Sequence, residues 1–176
     1  TVAASASLSS LTANKVYNFR LVATNSIGTT YGGNKTFITL ETSSTLLEEG
    51  FENGGQLPSQ WTMENVQGSN SWECHDGSCW LNGVPNSAYA GSYNAVFGWD
   101  SGTTRLITPV IAFPTGASGA SLEFWHCMAN WRGDQDGLKI YYRTSASGSW
   151  TLVESFLTET PQWTKRSISL PNPSST

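Results

Sequence analysis

The chain has 176 residues, a formal net charge of −4, 12% charged residues, 12% aromatics and 17 glycines. So sparse and slightly acidic a charge set excludes the basic footprint that nucleic-acid binding needs, and no apolar run of 18 residues is present to form a membrane-spanning helix. Few charges with many Gly, Ser, Thr, Asn and aromatic residues suit a secreted, β-rich extracellular protein. The opening "TVAASASLSS" has neither an initiator Met nor the layout of a signal peptide. The chain is therefore expected to be a piece of a longer protein, with further domains on both sides.

Residues 1–40 contain no acid and carry Lys15, Arg20 and Lys35, a charge of +3; the remainder holds six basic and thirteen acidic residues, −7, and all eight tryptophans. That shift, with the Ser/Thr-rich "LETSSTLL" between, predicts a first domain over 1–40, a linker over 41–46 and a second domain over 47–176. In the first part "KVYNFRLVATN" alternates, with Tyr17, Phe19 and Leu21 on one face and Asn18 and Arg20 on the other, the period of a half-buried strand. "NSIGTTYGG" reads as a turn and "KTFITL" as the next strand. The spacing of Leu8, Leu11, Thr12 and Tyr17, followed by "ATNSIGTTYG", resembles the C-terminal half of a fibronectin type III domain. The resemblance implies that the Tyr17 hydroxyl turns back to backbone a few residues upstream, that the first strands of the sandwich are missing, and that this part serves as a spacer or binding module.

Beyond residue 46 the chain reads as many short strands between turn signals, and no segment holds an apolar i, i+3, i+4, i+7 stripe for three turns. "LLEEGF" reads as the first strand, with Phe51 buried and Trp61 opening the next. "NAVFGW", "TTRLITPVIAF" and "ASLEFWHCMANW" follow. "DGLKIYYRTSASGSWTLVESF" reads as a hairpin about Ser-Ala-Ser-Gly, with Leu138, Ile140 and Tyr142 on one face. "QWTKRSISL" closes, with Trp163 and Ile168 inward. The predicted class is all-β: a partial fibronectin type III sandwich plus an incomplete antiparallel sandwich of jelly-roll type. "GFENGGQLPSQW" (Phe51, Glu52, Pro58, Trp61), Trp72 in "SW", "AYAGSYNAVFGW", "RLITPVI", "ASLEFWHCM", "DQDGLKIYY" with "SGSWTLV", and "QWTKRSISLP" occur in that order. Together they resemble the MAM-like, cleaved-adhesin jelly rolls of bacterial surface and secreted proteins. By that resemblance the domain is C-terminally truncated and holds a structural calcium on Glu52.

The candidate chemistry is weighed on the residues themselves. Glu48, Glu49 and Glu52 come from one short segment and cannot flank a bond from opposite sides as a glycosidase pair must. No motif recruits Glu123, Asp134 or Asp136 to complete such a pair, so solvated acids are the default. Calcium, which takes six to eight oxygens, is the better reading for Glu52 beside Asn53, for Asp100 in a Ser/Gly turn and for Asp136 in "DQDG"; for Asp136, turn capping is the plain alternative. "CHDGSC" lacks the ligands of a zinc site, and a Cys74–Cys79 disulfide closing the Asp-Gly turn is expected, with Cys127 a buried thiol; a fully reduced set is the alternative. His126 and Cys127 are strand neighbours facing opposite ways, and no Gly-x-Ser-x-Gly elbow is present. Trp80, Trp99 and Trp131, in loop-like contexts, are the candidate glycan-stacking residues, whereas Trp61, Trp72, Trp125, Trp150 and Trp163 are assigned to the core. The expected role is non-enzymatic adhesion or ligand binding, toward a glycan or an extracellular protein. The alternatives are an accessory module of a secreted hydrolase such as a protease, and a spacer in a surface stalk.

Overall fold

The computed structural model describes residues 5–40, 43–77, 85–98, 101–115, 117, 119–130 and 132–171. Among these the fold is all-β: twelve strands and no helix, paired antiparallel throughout. The architecture is that of a β-sandwich. The chain divides into two compact units, Thr1–Thr45 and Leu46–Thr176.

In the first unit β1 (Val16–Phe19) pairs with β4 (Lys35–Ile38), and β2 (Val22–Thr24) with β3 (Thr29–Tyr31). The alternating stretch 15–25 is thus two strands rather than one, because the chain changes ladder between Phe19 and Val22. Asn25 closes the β2–β3 turn, its side-chain oxygen accepting from the amides of Ile27 and Gly28 at 2.9 and 3.1 Å, the Asx arrangement that substitutes a side chain for a backbone acceptor. Tyr17 and Phe37, opposite each other across β1–β4, stack with centroids 5.7 Å apart. The Tyr17 hydroxyl accepts a bond from the Thr12 amide at 2.9 Å.

The second unit nests its strands in the same way twice over. β5 (Thr62–Gln67) pairs with β8 (Thr103–Ile107) and encloses the pair β6 (Trp72–His75) and β7 (Asn94–Phe97). β9 (Ala120–Met128) pairs with β12 (Thr160–Leu170) and encloses β10 (Leu138–Tyr142) with β11 (Thr151–Phe156). Each foursome is a long hairpin whose tip folds back as a second hairpin. The Ser145–Gly148 turn lies in the β10–β11 connection, with the Gly148 amide bonded to the Ser145 carbonyl at 3.1 Å. β8 ends at Thr108-Pro109, where proline has no amide to continue the ladder.

No strand forms over the described residues before Thr62 in this unit, contrary to the reading of "LLEEGF" as an extended segment. Phe51 sits at φ +63°, a conformation disfavoured for a bulky residue, and the chain there turns instead of extending. Its amide is taken by the Glu49 carboxylate at 2.6 Å, and its ring meets Trp61 edge-to-face at 5.2 Å. Cross-strand anchors hold the rest together. Trp72 Nε1 donates to the Thr104 carbonyl at 3.0 Å, and its ring packs on Phe97. Phe124 and His126 of β9 meet Phe156 of β11. Arg105 reaches over the rings of Tyr141 and Trp150 while paired to Glu64 at 3.0 Å. The apolar interior is thin: among the described residues Cys74 is the single buried hydrophobic one, and most inward side chains are half-buried.

Candidate functional site

The expected site residues fall into two groups. Asp100, Trp80, Trp99, Trp131 and Cys79 lie outside the described residues, so the loop-tryptophan platform and the Cys74–Cys79 bridge fall there too. Glu52, Asp136 and Cys74 are described. Asp136 lies in the irregular segment before β10, with its carboxyl partly shielded. Its carboxyl is pushed up, first by partial burial and second by the charge of Asp134. Cys74 is a buried thiol, pushed up by burial and then by the charge of Glu49. Among the described residues no group of three or more His, Cys, Asp or Glu side chains gathers as a metal-holding set.

Glu52 has a definite job in the geometry. Its Oε1 accepts from the amides of Ser92 and Tyr93, both at 2.9 Å, and its Oε2 accepts from the Ser92 amide at 3.0 Å. The carboxylate thus reaches some forty residues along the chain to hold the end of the segment 85–93. Beside it opens a depression of about 360 Å³ lined by Glu49, Glu52, Asn53, Pro58 and Ser59. Gly91, at φ +67°, lies against the same carboxylate so closely that a β-carbon there would collide with it.

The held segment carries Tyr89, and Tyr89 lies flat on Trp125 of β9, centroids 3.9 Å apart and planes 17° from parallel. Trp163 of β12 completes the group, its ring 6.2 Å from Tyr89 at 66° and its Nε1 donating to the Ser87 carbonyl at 2.9 Å. Under the segment, Gly77 has no room for a β-carbon because the Ala88 backbone occupies that space. Three contacts therefore set the loop: Glu52 at its end, Trp163 at its beginning and Gly77 in between.

This aromatic group stands on the outer face of the β9–β12 pair. Register places Trp125 opposite Lys165 and Glu123 opposite Ser167, and Lys165 pairs with Glu123 at 3.0 Å. Trp125 is 38% exposed and Tyr89 48% exposed, so an aromatic surface with a neutral, mixed-sign rim remains open to solvent. Its residues differ from the expected platform: Trp125, expected in the core, is on the exposed side, and Trp163 is half-buried. Alternation held the missing signal: Trp125 shares its side of the strand with Ser121 and Glu123, and Trp163 shares its side with Lys165, Ser167 and Ser169.

The opposite face of the same pair holds His126, which is buried. Arg166 Nε donates to its Nε2 at 2.9 Å, so the imidazole is neutral with its proton on Nδ1. That Nδ1 is buried with no hydrogen-bond partner among the described residues. Burial first, and the Arg166 charge second, hold this imidazole below its ordinary value. Glu73 pairs with His75, and Glu159 accepts from the Asn130 amide.

Fold and site together describe a two-unit, all-β antiparallel chain bearing a half-exposed aromatic face on one sheet. No family model, no curated protein and no solved structure matches the chain.

Proposed function

We propose that the chain is a non-enzymatic, ligand-binding module of a secreted, multidomain surface protein, and that it binds carbohydrate on the Trp125–Tyr89–Trp163 face. The observation that carries this reading is the pairing of stacked, half-exposed rings with the Lys165–Glu123 rim. Sugar rings combine apolar C–H faces, which stack on aromatic side chains, with hydroxyl edges, which need a donor and an acceptor close by. Because the rim charges are opposite and paired, the surface is complementary to a neutral, hydroxyl-rich ligand rather than to a charged one. The composition, lacking a basic footprint and rich in Ser, Thr, Gly and aromatics, supports an extracellular setting.

The test is binding of the full chain to a panel of immobilised neutral and acidic glycans and of extracellular matrix proteins, repeated with Trp125→Ala. Binding to neutral glycans that is lost in the variant is the expected result. Binding confined to proteins, or unaffected by Trp125→Ala, would replace carbohydrate recognition on this face with another adhesive surface or with a spacer role.

A further inference from the structure

We infer that Glu52 is the positioning residue of the aromatic face: its carboxylate clamps the backbone that presents Tyr89 to Trp125, and does so without a metal ion. The argument begins with the donors that surround it. Both carboxylate oxygens are engaged by N–H groups, those of Ser92 and Tyr93, at 2.9 to 3.0 Å. A carboxylate gathering two backbone amides is a strong, charge-assisted arrangement. The N–H dipoles that favour the anion oppose a cation at the same oxygens. A calcium ion at Glu52 would have to displace these amides and then find several further oxygens, and no cluster of three acidic, His or Cys groups supplies them among the described residues.

The local backbone is arranged for this clamp. Phe51 is held at φ +63° by the Glu49 carboxylate on its amide and by Trp61 against its ring. A bulky residue in that region is maintained only when its surroundings determine it, and here the result is to turn the adjoining Glu52 toward residues 91–93. On the receiving side, Gly91 at φ +67° removes the side chain that would fill the carboxylate's position. Four residues before Tyr93, Tyr89 then lies on Trp125 at 3.9 Å. Two strained or side-chain-free positions and three hydrogen bonds thus converge on one small loop, and the exposed product of that convergence is the aromatic stack. The consequence for ligand affinity rests on the aromatic face being the binding surface, whereas the clamp itself stands without it.

The experiment uses no ligand. In the full chain, amide hydrogen exchange at Ser92 and Tyr93 is followed by NMR, and the Tyr89–Trp125 stack by near-ultraviolet circular dichroism, with EDTA and with millimolar calcium. The wild-type chain is expected to protect both amides and to give the same spectra in either condition. Glu52→Gln, which turns one acceptor oxygen into a donor, should speed exchange at Ser92 and Tyr93 by about ten- to a hundredfold, the factor of one charged hydrogen bond, and should reduce the stacking signal. Gly91→Ala, whose methyl displaces the carboxylate, should do the same by a separate route and keeps the test decisive if the first variant folds poorly. Unchanged exchange in Glu52→Gln, or wild-type amides that move on adding calcium, would overturn the proposal. Failure of the chain to bind any glycan would leave these amide signals where they are, so this inference and the carbohydrate reading fail separately.

Discussion

His126 shows how one buried group ties the fold to pH. Its Nε2 accepts from Arg166, Phe124 and Phe156 enclose the ring, and its own Nδ1 proton has no partner among the described residues. Protonating Nε2 would break the bond and set two cations face to face in a dry setting. The folded imidazole is held below its ordinary value, so the unfolded chain binds a proton that the folded chain refuses. The stabilisation is fully present above about pH 6.5 and is lost as pH falls from there through the lowered folded value. Urea midpoints are accordingly expected to fall between about pH 7 and pH 5, and His126→Gln, though less stable at neutral pH, should flatten that fall. An equal fall in the variant would assign the pH dependence to other groups. The Lys165–Glu123 pair is the opposite case. Both side chains are about half exposed, and such pairs contribute on the order of 0.2–1 kcal/mol. Lys165→Ala should leave the thermal midpoint nearly unmoved while weakening any ligand that uses the rim; a large loss of stability would show that the pair holds the sheet together.

At the level of the element, β9 and β12 explain which features the sequence made legible. Leu122, Phe124 and His126 face in, and Ser121, Glu123 and Trp125 face out, as period two requires. The strand itself is legible in "ASLEFWHCMANW", although it ends at Met128 and its pairing with β12 is not written in that stretch. Trp125, whose apolar bulk suggests the core, follows its parity with Glu123 instead and is 38% exposed. Trp163 is half-buried and stands where the register between Thr160 and Thr164 is irregular, a break that no pattern of residue types announces. The segment "LLEEGF" failed as a strand for a different reason. The Phe51 amide donating to the Glu49 carboxylate two residues back, and the positive φ of Phe51, decide its course: a local side-chain bond of this kind competes with an extended strand, and an apolar-polar pattern does not announce it. Likewise nothing in "FENGG" points to Ser92 and Tyr93. The loop 85–93 is equally a product of packing, and Gly77 tests it. A β-carbon there would strike the Ala88 backbone at a φ of +84°, where the neighbour is main chain and cannot swing aside. Gly77→Ala should therefore cost about 1–3 kcal/mol, as overpacking does, and should disturb the Tyr89–Trp125 stack. A silent substitution in both thermal melting and circular dichroism would mean that the loop is not seated on Gly77.

Taken as a whole, the molecule combines thin apolar cores with surfaces that remain aromatic. The first unit leaves Val16, Phe19, Leu21, Val22 and Tyr31 exposed on short ladders, and among the described residues no side chain anywhere is fully buried. Stability in such a fold leans on directed contacts: the Trp72 bond to Thr104, the Arg105 contacts with Tyr141 and Trp150, and the Arg166–His126 bond. On one of its exposed faces the second unit stacks a loop tyrosine on a strand tryptophan and holds that loop with an acid from a distant segment. The central claim is that this face binds carbohydrate. It is tested most directly by titrating the full chain with a soluble neutral oligosaccharide, following tryptophan fluorescence, in parallel with a Trp125→Ala variant whose far-ultraviolet circular dichroism is unchanged. A binding isotherm that weakens about 30-fold or more in the variant, the loss of about 2 kcal/mol expected for an aromatic anchor, is the predicted result; equal affinity in the two chains would contradict it.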